Sequence, residues 1–217
     1  MRLIAACELT VTRFLLLSAL WLVACAASHA RAEPVQLDVT LRVVDAHDRP
    51  LPDRPVRLVF ESDPDWAAPD AGRRARTDAH GEARFSARVE LGAAEIDRDT
   101  TWLSVLSPSE TARSLTVFVG LEYLGMEWLY GLTAYRFDDG DGLRRGFDVY
   151  LPDERGRYTL KFSEDRGMHT IRLPDGLSLS GSGNTPRDLS FAPAPDGDSQ
   201  HWVLTLSFRR EPDPVRR

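Results

Sequence analysis

Apolar residues recur at every second position along most of this chain, and that periodicity limits what it can fold into. In residues 36–44, Leu37, Val39, Leu41 and Val43 fall on one side and Gln36, Asp38, Thr40 and Arg42 on the other, the pattern of a strand with one buried face. Val56, Leu58 and Phe60 repeat the period, as do Ala83, Phe85, Ala87 and Val89. So do Leu115, Val117, Val119, Leu121 and Tyr123, and later Trp202, Leu204, Leu206 and Phe208. No segment beyond residue 32 sustains a helical period. Pro, Asp and Gly clusters part the runs at 8–15-residue spacing. The sequence therefore predicts an all-β protein, an antiparallel β-sandwich with a β-rich C-terminal extension, rather than a βαβ sheet.

Residues 114–124 and 126–137 form a long candidate hairpin pivoting near Gly125, and 146–151, 157–162, 168–173 and 201–209 are further candidate strands. The stretch Ser178–Gly183 reads as a flexible loop, and it lacks the Gly-x-Ser-x-Gly spacing of a nucleophile elbow. No Gly- and Ser-rich linker divides the chain, so one elongated domain is expected over residues 33–209, with 210–217 as a tail.

Ahead of that domain, Arg2 and Arg13 precede an apolar run, Phe14–Ala27, of the length an export signal uses. Two ends compete. Ala30-Arg31-Ala32 before Glu33 fits a signal-peptidase site and would make the leader 1–32. Leu22-Val23-Ala24-Cys25 resembles the lipobox of bacterial lipoproteins, which would make the leader 1–24 and Cys25 the lipidated first residue. Several acyl chains on Cys25 would hold the protein on a membrane facing the periplasm, at ~0.8 kcal/mol per buried methylene. The shorter alternative is a soluble periplasmic chain. The 14-residue run is too short for a membrane-spanning helix.

Residues 36–90 carry a more specific pattern. A strand leads into Asp45-Ala46-His47-Asp48-Arg49-Pro50-Leu51-Pro52, a second strand and loop follow, and then Thr77-Asp78-Ala79-His80-Gly81-Glu82-Ala83-Arg84-Phe85. This resembles the carboxypeptidase regulatory-like and transthyretin-like domains, and more loosely the bacterial Ig-like modules. The resemblance implies a β-sandwich. It also implies that Gly81 takes a positive φ while Asp78 bonds the turn backbone. Asp48 stands where those families commonly have Gly, so the first turn is expected to differ in type.

Chemistry-bearing patterns are sparse. His47, His80, His169 and His201 are scattered singly, none at the spacing of a zinc pair. Asp138-Asp139-Gly140-Asp141-Gly142 departs from a calcium loop, with Leu143, Arg144 and Tyr150 at ligand or turn positions. No cofactor or metal set is read. Without Arg2, Arg13, Arg31 and Glu8 the chain carries 24 Arg and Lys against 32 Asp and Glu, a formal charge of −8, and no window has the basic stripe that nucleic acid requires. Trp66, in the polar loop 61–75, has no evident core to enter and is the candidate binding anchor. The sequence thus points to a non-catalytic cell-envelope protein binding a protein partner or surface polymer. The rivals are a glycan-acting enzyme with paired carboxylates drawn from residues such as Asp45, Asp78, Glu122 and Glu127, and a structural subunit of an envelope assembly.

Overall fold

The computed structural model describes residues 33–96, 110–164, 170–172, 178–180 and 183–212, and Glu33–Arg217 form one compact unit. The candidate leader, Cys25 and His169 lie outside the described residues. The strands, in chain order, are β1 (Glu33–Val44), β2 (Pro55–Phe60), β3 (Arg73–Arg76), β4 (Glu82–Ile96), β5 (Glu110–Tyr123) and β6 (Met126–Phe137). They continue with β7 (Gly142–Pro152), β8 (Tyr158–Ser163), β9 (Thr170–Arg172), β10 (Ser178–Ser180), β11 (Asn184–Pro193) and β12 (His201–Arg210). No helix occurs among the described residues.

Two layers face each other. The first runs β11-β12-β1-β4 and the second β5-β6-β7-β8, with β2 on the other side of β5 and β3 beyond it. β4 belongs to both: its residues Glu82–Leu91 pair with β1 and Gly92–Ile96 pair with β5. The alternating residues from both layers meet in one cluster. Leu37, Val39 and Leu41 of β1, Leu204, Leu206 and Phe208 of β12, Leu58 of β2 and Val119 of β5 are all essentially sealed from solvent. A fully buried Leu or Phe contributes about 1.5–3 kcal/mol over an exposed one.

The architecture is all-β as expected, with one departure. β1 and β12 run parallel, Gln36 opposite His201 and Val43 opposite Phe208, so the pairing is mixed rather than wholly antiparallel. Alternation sets which face of a strand is buried and says nothing of its direction. Two further differences concern small elements: Ser178–Ser180, expected as loop, pairs with β9, and Arg73–Arg76 forms β3, an edge strand whose arginines discourage pairing with another chain. At the C-terminal end, Glu211 N donates to Gly183 O and Tyr123 Oη donates to Pro212 O, so the first residues of the expected tail are tied down.

The first turn does not differ in type from the second. Asp45 Oδ1 accepts from His47 N and Arg49 N at 2.8 and 3.0 Å, and Asp78 Oδ1 from His80 N and Glu82 N at the same two distances. Asp153 makes a third copy with Arg155 N and Arg157 N. The fourth residue is left-handed in each: Asp48 at φ 63°, Gly81 at 73° and Gly156 at 78°. Aspartate tolerates that region better than most residues, which is how Asp48 stands in for glycine.

Candidate functional site

β2 reads Val56-Arg57-Leu58-Val59-Phe60, apolar in both phases, and all five residues are buried. Val56, Leu58 and Phe60 enter the main core. Val59 instead joins Phe118 of β5, Leu129 of β6 and Tyr158 of β8 in a second apolar cluster on the outer face of the second layer. Loop 61–72 covers that cluster. Trp66 lies half-buried there, its ring stacked flat on Phe118 with centroids 4.2 Å apart and edge-on to Tyr150 at 5.4 Å. Trp66 therefore has a core to enter, made from the strand positions that the main alternation assigns to the outside.

Arg57 holds the loop from below. It is fully buried, and its Nη1 donates to Ala68 O and Pro69 O at 3.1 Å and to Ala71 O at 3.4 Å. Its Nη2 lies 2.6 Å from Glu127 Oε1, off the line of a good hydrogen bond, so that contact is chiefly ionic. The guanidinium also sits 4.7 Å from the Tyr158 ring centre. Glu127 in turn accepts from Tyr158 Oη at 2.7 Å and from Arg74 Nη1 at 3.1 Å. Burial, and then that bond to Glu127, push the Tyr158 hydroxyl pKa well up. A buried guanidinium is costly unless its charge is matched and its donors find acceptors; here the Glu127 carboxylate matches the charge and three loop carbonyls serve Nη1, while Nε and Nη2 make no hydrogen bond.

The loop is fastened at its rim as well. Tyr158 N donates to Ala67 O at 3.0 Å, and Arg157 clasps both oxygens of Asp65 at 3.1 and 2.7 Å, which holds the Asp65 carboxyl below its ordinary range. Glu61, Ser62, Pro64, Asp65, Pro69 and Asp70 remain exposed. The result is a stiff acidic and proline-bearing platform.

The remaining candidates separate. Asp45 and Asp78 are turn residues and their carboxylates serve backbone N–H groups. Glu122 and Glu127 stand opposite each other on β5 and β6, with Glu127 committed to Arg57, Arg74 and Tyr158. His47 and His80 each occupy the third position of a turn. His201 lies between two carboxylates, Nδ1 2.5 Å from Asp196 Oδ2 and Nε2 3.1 Å from Asp38 Oδ2. Asp139 caps the β6–β7 turn by accepting from Asp141 N. Among the described residues no three His, Cys, Asp or Glu side chains are grouped to hold a metal ion. Arg57 is the residue the sequence reading passed over. Its signal was present: a charge inside a run that is apolar in both phases must be buried with a partner.

No family model and no curated protein matches this sequence. Solved structures do. The 3-chlorocatechol 1,2-dioxygenase of Rhodococcus opacus 1CP is 15% identical with a TM-score of 0.32, over 84% of this chain and 62% of its own. The catechol 1,2-dioxygenase of Pseudomonas arvilla C-1 is 14% identical with a TM-score of 0.29, over 87% of this chain and 55% of its own. The chain thus spans less than two thirds of either. Both neighbours are enzymes, and on that finding the expectation of a non-catalytic protein is withdrawn. At those TM-scores the likeness carries no argument about a reaction or a site in this chain.

Proposed function

We propose that this is a cell-envelope binding protein, held at a membrane through acylated Cys25, whose loop 61–72 is a recognition element for a protein partner. The observation that carries the reading is Arg57. A fully buried charge spent on three carbonyls of one surface loop fixes that loop before any partner arrives, and a preordered loop loses less entropy on binding. A twelve-residue connection between neighbouring strands is longer than a hairpin requires, which is the usual mark of a functional loop. The exposed carboxylates of Glu61 and Asp70 favour a partner with basic side chains. A photo-crosslinking amino acid at Ser62, and another at Thr205 on the opposite face, tests this in envelope preparations. Protein adducts at Ser62 alone, lost in Asp70→Lys at unchanged melting temperature, support the reading. Equal adducts at Thr205, or adducts indifferent to Asp70→Lys, overturn it, and adducts of polymer mass transfer the loop to a surface polymer.

A further inference from the structure

His201 begins β12 on the outer face of the first layer, and its two ring nitrogens meet carboxylates from different places in the fold. Asp196 belongs to the turn between β11 and β12, while Asp38 lies in the middle of β1. An ionised carboxylate only accepts hydrogen bonds, and a neutral imidazole has one N–H. A neutral ring could therefore satisfy one neighbour while aiming a lone pair at the other. Only the doubly protonated ring donates to both.

The surroundings preserve that arrangement. On β4, Ser86 Oγ donates to Asp38 Oδ1 at 2.7 Å and accepts from Gln36 Nε2 at 2.6 Å. Arg88 of β4 stands across from Gln36, itself across from His201. In the turn, Asp198 accepts from Gln200 N through its carboxylate and from His201 N through its carbonyl. β11 brings Ala192 and Pro193 beside Val203 and Trp202, and its charged Arg187 and Asp188 lie towards the strand's other end.

We propose that His201 is a proton-operated clasp: as an imidazolium it fastens the turn 195–199 to β1, and loss of its proton frees that turn between its backbone-bonded ends, Ala194 and Gln200, while the sandwich stays folded. The hydrogen bond to Asp196, and then that to Asp38, hold the His201 pKa above its ordinary value. Asp196 and Asp38 are held below theirs, the first chiefly by His201 and the second chiefly by Ser86 and then His201. A raised histidine contributes fully below its unfolded value, about 6.5, and its contribution is lost as pH rises through the folded value. The lowered carboxylates contribute above their unfolded values and are lost as pH falls through the folded ones. The clasp is closed between those limits.

The test is a pH titration of the full chain, with the His201 ring followed by NMR and amide exchange of residues 195–199 by mass spectrometry. His201 is expected to titrate above the ordinary histidine value of about 6.5. Asp38→Asn and Asp196→Asn should each lower that value. Exchange across 195–199, corrected for its intrinsic pH dependence, should quicken about tenfold or more through the same titration, and should be fast and pH-independent in His201→Gln. A His201 that titrates at or below 6.5, or a turn whose corrected exchange ignores the titration, overturns the proposal. If His201→Gln is unstable, Asp196→Asn alone reads the same two quantities.

Discussion

Asp48 and Gly81 share a backbone conformation and differ in what surrounds them. A left-handed φ costs an ordinary side chain about 1–2 kcal/mol. At Asp48 the carboxylate offsets that cost by reaching Arg187 of β11 and Arg209 of β12. At Gly81 a Cβ would stand 2.7 Å from Val43 O, whereas at Gly156 its nearest contact would be Pro69 Cγ at 3.8 Å. Asparagine accepts the left-handed region, so it separates strain from crowding. Gly156→Asn is expected to cost under about 1 kcal/mol and Gly81→Asn about 2 kcal/mol or more, read from urea unfolding. Equal losses would show that the crowded carbonyl yields freely.

The loop 61–72 shows what a strand pattern reveals and what it hides. The strands β1, β2, β4, β5, β6 and β12 were legible because a half-buried strand must alternate. The second cluster was hidden because Val59, Phe118 and Leu129 occupy the phase that alternation assigns to solvent. They are buried only because a distant loop returns to cover them, so Trp66 looked homeless in the sequence. Two substitutions measure that cover. Arg57→Met strips the donor from three carbonyls and leaves Glu127 with a weaker set of partners. Because Glu127 keeps 26% exposure, a loss of about 2–3 kcal/mol is expected, at or just below the low end of the range of about 3–5 kcal/mol for a broken buried pair. Trp66→Ala removes a half-buried ring and should cost about 2 kcal/mol. In both variants limited proteolysis should cut first within 61–72 while the sandwich survives; cutting elsewhere first would mean the loop is not the local unit that opens.

At the level of the whole molecule, acid is the predicted weakness. Asp45 and Asp78 are held below the ordinary carboxyl range by backbone N–H groups, first those of Arg49 and Glu82, while Arg76 and Arg157 do the same for Asp53 and Asp65. Such groups stabilise fully above their unfolded values near 3.8 and cease to do so as pH falls through the lowered ones. The melting temperature should hold between about pH 4 and the titration of His201, and decline below about pH 4. The decline should be shallower in an Asp45→Asn, Asp78→Asn double variant, whose amide oxygens still accept without a charge to lose. Anchorage is tested separately: acylated Cys25 would add two or three acyl groups to the mass of 25–217 and send the protein into detergent, and Cys25→Ala would abolish both. An N-terminus found at Glu33 would rule it out. The direction of β12 was the least legible property of all, since nothing local in either strand states that residues 201–209 will lie parallel to 36–44. That pairing has a temporal side. While the polypeptide is being made, β1 can find β4 early, but its other edge stays bare until β12 leaves the ribosome. Among the described strands the longest closure is therefore a late one, and a nascent chain of this kind stays unlocked, and threadable, until β12 has been made.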